Sequence, residues 1–433
     1  MLQTLLDRWR GTGPKTAPRP PQAVTPGSRD KPTPSAASTV HELAAATATV
    51  GARRALVDQH GRIVGYEFSV GPALLQRLQQ RPDSVAVKAH FQALLAGMRL
   101  GAAQGRLAYA EVPAAWLGLV EPGQVKGLHM GLVPATVHPE PSTATHTLKG
   151  WRAAGAQLGW SEGTPGMAAC GHPDFCLRQR GAGATTSAPE APTRGRPWVA
   201  PDEPDVDALD AALASGALWA GCSTRFASEP RQAKALPMPT QALMRLLNRL
   251  IRDDDTAQIV DEIKRDAALC ARLLQHLNSA GVTGQRGLES IEQAVSVLGR
   301  NALYQWVAAL VVRQSGARPA ASSMQALALA RARLLESLAR AAGEASPGSL
   351  YVVGLASVLP QLMQASLADV LAGLSLPADA ERALRHREGP WGHYLDLAEA
   401  LEAPDLSAVQ RLSGPAGGLQ ATMALSAQAW LAH

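Results

Sequence analysis

Two short stretches hold residues whose types and spacing could do chemistry. In "GRIVGYEFSV", residues 61–70, Glu67 is the one carboxylate in a run that otherwise reads as a buried strand. A carboxylate among apolar neighbours costs several kcal/mol, about 2 or more, unless it is paired, metal-bound or in contact with water at a strand end. In "CGHPDFC", Cys170, His172, Asp174 and Cys176 fall within seven residues and carry metal-ligating atoms. Zinc sites ordinarily need two such pairs, and no second CxxC-like pair exists in the chain, so local packing competes with a metal reading here.

The elements that must position these groups divide the 433 residues into unequal parts. Leu2, Leu5, Leu6 and Trp9 fall on one face of a short helix over residues 1–10, which either packs on its own domain or docks on a partner or membrane surface. Residues 11–50 open with "GTGPKTAPRPPQAVTPGSRDKPTPSAAST" and read as a disordered tether, because almost nothing in that segment can be buried. Over 51–230 strands and helices alternate. "ARRALVD" and "RIVGYEFSV" form a hairpin through "QHG", and "RLAYAEVP" is a strand with Glu111 near its end. A helix over 84–100 and the strands "AQLGW", "WVAP" and "ALWAGC" continue the rhythm, which predicts a parallel, barrel-like α/β domain.

From 231 to 433 the period changes to that of helices. Leu243, Leu246, Leu247, Leu250 and Ile251 make one stripe, and Leu303, Trp306, Val307, Leu310 and Val311 another. Asp255 with Gln258, and Ser290 with Gln293, have capping-box spacing, and Gly299 is placed to end a helix. The fold class is therefore α/β followed by all-α.

Composition excludes several functions. The first fifty residues carry six Lys/Arg against three Asp/Glu, which accounts for most of the net charge of +5 and leaves the folded remainder near neutral. With 18 aromatic residues in all and no basic stripe, a nucleic-acid footprint is not expected. Four scattered cysteines make no disulfide framework, which fits a reducing compartment. The longest apolar stretch, Ala302–Val312, is too short for a membrane span, and Asp7 and Arg8 interrupt any secretory leader, so a cytoplasmic protein is expected.

The helical half resembles a known family. "LPMPTQALMRLLNRLIRDDDTAQIVDEIKRDAALCARLLQHLNSA" followed by "SIEQAVSVLGRNALYQW" is similar to the HDOD domain, the HD-related output domain of bacterial signalling proteins, over about 235–410. That resemblance implies the fold of HD phosphohydrolases. The position of their metal-binding His-Asp pair falls in "YVVGLASVLPQLM", where Ser357 and Val358 stand, and neither is a metal ligand. His276, His386, His393 and His433 lack metal-ligand spacing.

Such domains often follow an EAL domain, the TIM-type barrel that hydrolyses cyclic di-GMP, and "RRALVDQHGRIVGYEFSV" resembles its opening, with Glu67 as the signature glutamate and Phe68-Ser69 in place of Ala-Leu. The reaction uses two divalent ions held by several carboxylates and an amide. The resemblance puts Ala110 or Glu111 at the metal-binding Asn, Ser161-Glu162 at the paired aspartates, Leu177 and Gln179 at the lysine and its following aspartate, and Pro201 at a late glutamate. Gly221 survives in the closing strand without the family's Gln.

At about 180 residues the region is short for a complete barrel of ~250, which implies a degenerate one, whole or trimmed. Glu67 is then a remnant exposed at a strand end, or one ligand of a rebuilt site with Glu111 and Glu162 that lacks the groups to handle water. The expected function is a non-catalytic signalling adaptor with no cofactor, contacting protein partners through its helical domain. The alternatives are a cyclic di-GMP receptor without turnover, for which Arg53, Arg54, Arg62 and Lys126 are available beside the reading of a solvated face, or a residual phosphodiesterase.

Overall fold

In a computed structural model the described residues are 53–80, 85–134, 140–161, 167, 171–178, 195–222, 238–279, 290–314, 318–403 and 405–431. The terminal helix at Leu2–Trp9, the tether, Glu162, Cys170 and Gln179 lie outside them.

Eight strands close into a barrel in chain order. They are β1 (Arg53–Val57), β2 (Ile63–Phe68), β3 (Leu107–Pro113), β4 (His129–Val133), β5 (Gln157–Trp160), β6 (Phe175–Leu177), β7 (Trp198–Glu203) and β8 (Ala220–Cys222). The alternative of a trimmed barrel is corrected: short strands of three to seven residues close the circle without the usual length. The hairpin expected through "QHG" is present, and it leaves one strand of an otherwise parallel sheet antiparallel. β1 runs antiparallel to both β2 and β8, while β2 through β8 pair in parallel. The cause is local: "QHG" makes a tight turn in which Asp58 accepts the backbone N–H groups of His60 and Arg62 at 2.9 Å each, so no crossover helix can intervene.

Helices α1 (Pro72–Gln79) and α2 (Val85–Ala103) follow β2, α3 (Pro141–Ala153) precedes β5, and α4 (Val206–Ala214) links β7 to β8. Asp205 caps α4 by accepting the Ala208 N–H at 2.8 Å. Inside the barrel, Leu56, Tyr109, Phe175, Leu177, Val199 and Trp219 form a closed apolar cluster. Tyr109 and Trp219 meet edge-on with ring centres 4.9 Å apart. Gly131 makes this plug possible, since a Cβ there would stand 2.4 Å from the Tyr109 hydroxyl.

The chain after 237 is helical: α5 (Met238–Ile251), α6 (Thr256–Lys264), α7 (Ala267–Ser279), α8 (Ile291–Gln314), α9 (Pro319–Ala341), α10 (Pro347–Ala356), α11 (Leu359–Met363), α12 (Leu367–Ala372), α13 (Ala378–His386), α14 (Gly392–Glu402), α15 (Leu406–Leu412) and α16 (Leu419–Leu431). Both leucine stripes face inward. Gly299 breaks α8 with φ 73°, so it does end one helical segment, and the next begins without a loop. Ser290 accepts the Gln293 N–H at 3.2 Å, as a cap should. At Asp255 the capping box is not formed: the residue stands at the N-cap without a side-chain bond, and the Gln258 side chain lies instead within 3.5 Å of Arg249. α8 is long and apolar enough to cross a membrane by length and composition, but Leu303, Val307, Ala308, Val311 and Val312 are buried inside the helical bundle.

The helical region packs directly on the barrel. With no helix between β1 and β2, the outward residues Ala55, Val57 and Tyr66 need cover, and α9 and α16 supply it in one continuous apolar cluster. The Ser323 hydroxyl donates to the Ala55 carbonyl at 3.0 Å, and the Ala320 N–H to Asp210 at 2.8 Å. Trp430 meets Tyr66 edge-on with ring centres 6.0 Å apart. On the other side of α9, Gly354 of α10 lies so close that a Cβ there would fall 2.6 Å from the Ala332 Cα.

This shared core makes unfolding cooperative across both halves. Trp430→Ala should cost about 3 kcal/mol, and barrel and helix signals should shift to the same lower denaturant midpoint. A shift in the helical signal alone would contradict a shared core.

Candidate functional site

The carboxyl ends of the parallel strands and the start of β1 converge on one mouth of the barrel. β2 places Glu67 there, β3 Glu111, β7 Asp202 and Glu203, and β8 Cys222. Antiparallel β1 contributes Arg54, directly opposite Glu67 in register. The Arg54 guanidinium grips Glu67 with both ends of its fork: Nε donates to Oε2 at 2.6 Å and Nη2 to Oε1 at 2.8 Å. Its remaining Nη1 donates to Asp202. Such bidentate charge-assisted pairs are the strong members of their class.

Glu67 is therefore corrected from an exposed remnant to a buried, paired residue, 6% accessible. Its charge is met by an internal cation rather than by water. Burial pushes its pKa upward, and the contact with Arg54 works against that rise. Burial also opposes the Arg54 charge, but Glu67 and Asp202 raise its pKa above the ordinary value, so it stays a cation.

Arg54 is likewise corrected from a candidate phosphate contact on a solvated face to the centre of this cluster. Arg62 is spent on Asp58 in the hairpin, and Lys126 is exposed. The side chain of Arg53 lies outside the described residues.

Glu111 shares the mouth. The Tyr109 hydroxyl donates to it at 3.0 Å. Burial, reinforced by the Glu67 charge, pushes its pKa up to about 7. Glu203, also buried, pairs with Arg178 at 3.0 Å. Cys222 is a thiol, its pKa pushed up to about 12 by burial first and by nearby carboxylates after that.

Of the "CGHPDFC" stretch, Asp174 accepts the Leu158 N–H at 2.8 Å and lies 3.3 Å from Arg152 Nε, which ties β6 to β5, and Cys176 is wholly buried. Among the described residues no group of His, Cys, Asp and Glu is arranged to hold a metal. Facing the mouth, Ser161 donates to the Leu177 carbonyl at 2.9 Å, and the plug of Tyr109, Phe175 and Trp219 fills the barrel below.

A second fork lies in the helical region. Arg331 of α9, 2% accessible, donates to Glu402 of α14 through Nε at 2.8 Å and Nη2 at 2.5 Å. Its Nη1 donates to the Ser357 hydroxyl at 2.8 Å. Val358, beside it, is fully buried. The stretch that aligns with the His-Asp pair of HD phosphohydrolases is thus the C-terminal end of α10, locked to a buried ion pair. Sequence reading missed both Arg331 and Glu402, which are 71 positions apart with no local signal.

Residues 236–383 match the family model of the HDOD domain. These residues form an HDOD domain. The barrel and the HDOD domain stand in the order that the sequence resemblance implies. The chain is 28% identical over 183 residues to the uncharacterized protein YuxH of Bacillus subtilis, covering 41% of this chain and 45% of that protein. It is 30% identical over 159 residues to the cyclic di-GMP phosphodiesterase CdgJ of Vibrio cholerae, covering 36% of each. The match spans less than half the length of either relative. Among solved structures, the Bacillus subtilis YkuI protein with an EAL domain, in complex with c-di-GMP and calcium, is similar at 14% identity and a TM-score of 0.30, over 58% of this chain and 73% of that one.

Two predictions follow from the forks and their neighbours. Glu111 binds its proton more tightly folded than unfolded, so its contribution to stability is full below about pH 4.5 and is lost as pH rises through about 7, a loss of about 3 kcal/mol. Glu111→Gln should flatten that decline in melting curves between pH 5 and 8. In the HDOD domain, Arg331→Met strands a buried carboxylate and should cost about 3–5 kcal/mol, while Arg331→Met with Glu402→Leu should recover most of it in denaturant titrations.

Proposed function

We propose that this chain is a non-catalytic signalling protein, with the barrel as a scaffold and the HDOD domain carrying contacts to protein partners. One observation carries the reading. Both oxygens of Glu67, the signature glutamate of the EAL resemblance, are occupied by the Arg54 fork. Metal-assisted phosphodiester hydrolysis needs such oxygens turned toward divalent ions that align a water with phosphorus. A guanidinium locked there repels a second cation and offers no open coordination position. Further support comes from Glu111, which at neutral pH is only partly ionised and takes a hydrogen bond from Tyr109. The plug of aromatic rings closes the barrel beneath.

The relative named as a cyclic di-GMP phosphodiesterase favours a second reading, in which the barrel binds cyclic di-GMP without turnover. The charge balance weighs against it. Among the described residues the mouth sets two guanidiniums, both already paired, against four carboxylates, an unwelcoming surface for a phosphodiester.

Incubating the full chain and Glu67→Gln with cyclic di-GMP and Mg²⁺ or Mn²⁺, with product analysis, separates these readings. No linear product from either protein is expected, and no saturable heat in calorimetry. Metal-dependent turnover that Glu67→Gln abolishes would overturn the non-catalytic reading. Micromolar binding without product would favour the receptor.

A further inference from the structure

The face of α9 turned away from Arg331 opens on a cleft of about 550 Å³ between α7, α8, α9, α10 and α16. This is a volume ordinary for small-molecule sites, which run to about 300–1,000 Å³. Its chemistry is sharply divided. One wall is aromatic: Trp306 of α8 lies against His276 of α7 in a stacked pair, ring centres 5.9 Å apart and planes 27° apart, and Tyr351 of α10 lines the cleft as well. Around that wall stand three guanidiniums, Arg313, Arg333 and Arg340.

The acidic group of the lining, Glu336, is already engaged. It accepts from Gln305 Nε2 at 2.6 Å and from Arg340 Nη2 at 2.6 Å. The cleft therefore carries a net positive charge beside a flat aromatic surface, within a folded remainder of the chain that is nearly neutral. Arg313 and Arg340 are exposed at its rim, while Arg333 is half-buried beside Glu336 and Tyr351.

Arginine forks match phosphate oxygens, and indole and phenol faces take up planar rings by stacking. We propose that this cleft binds a nucleotide-class ligand, a planar aromatic base carrying phosphate, with the base against Trp306 and the phosphate met by Arg313 and Arg340. The site is separate from the stretch at Ser357 and Val358, because Arg331 and the cleft residues Arg333, Glu336 and Arg340 leave α9 in different directions: Arg331 points to Glu402 and Ser357, the others to the cleft. A ligand there would bear on the same helix that covers β1.

Calorimetric titration of the full chain with GMP and AMP tests this, with guanosine and inorganic phosphate as probes for each half of the ligand. At least one nucleotide should bind more than tenfold tighter than either guanosine or phosphate alone. Arg313→Ala should weaken it several-fold with the melting curve in place, and Arg313→Ala with Arg340→Ala at least tenfold, the second substitution also lowering the melting temperature because Arg340 pairs with the buried Glu336. Trp306→Ala should weaken the nucleotide and leave the affinity for phosphate alone unchanged. Lys126→Ala, on the barrel, should change nothing. The proposal is overturned if neither nucleotide binds at millimolar concentration, if phosphate or guanosine binds as tightly as the nucleotide, or if the paired arginine substitutions leave affinity intact.

Discussion

A barrel whose first two strands are joined by a tight hairpin has no crossover helix to cover the first of them, and the rest of the molecule is built around that gap. In a parallel unit each strand brings its own helix to shield its outer face from water. Here β1 brings none, and Ala55, Val57 and Tyr66 would be left bare. α9 lies over β1 and α16 reaches Tyr66 through Trp430, so the helical region provides the missing layer. α9 is at once an outer stave of the barrel and the central helix of the bundle, which explains why it is buried over most of its length.

The same hairpin decides what Glu67 can do. Antiparallel pairing, with its register shifted by one residue between Leu56 and Val57, sets Arg54 directly across from it. The forked contact follows from register before any question of ligand arises. A similar fork at Arg331 and Glu402 holds α9 to α14 deep in the bundle. In both halves a guanidinium takes both oxygens of a buried glutamate, which fixes two elements in one orientation.

Much of this was legible in the sequence. Strand alternation, the turn at "QHG", the leucine stripes and the Ser290 cap all depend on neighbours within a few positions, where pattern reports geometry well. The Arg54–Glu67 pair was not within reach of counting alone: outward from Val57 opposite Ile63 the count sets Arg54 against Tyr66, and a bulge between Leu56 and Val57 moves it to Glu67. Arg331 and Glu402 were not legible, because the 71 positions between them in sequence carry no sign of their meeting. Strand number misled by length: the spare connections of this barrel, such as the hairpin, save the residues that a helix would have used.

An α9 with three occupied faces has a consequence for how the chain can be divided. Cutting after β8 would strip β1 and β2 of their cover and leave an apolar strip along the barrel wall, while the released bundle would expose the opposite faces of α9 and α16. Such halves would be expected to seek each other, or their own copies, in solution. The pair is better regarded as one inherited unit than as two exchangeable modules, whatever partner each surface serves.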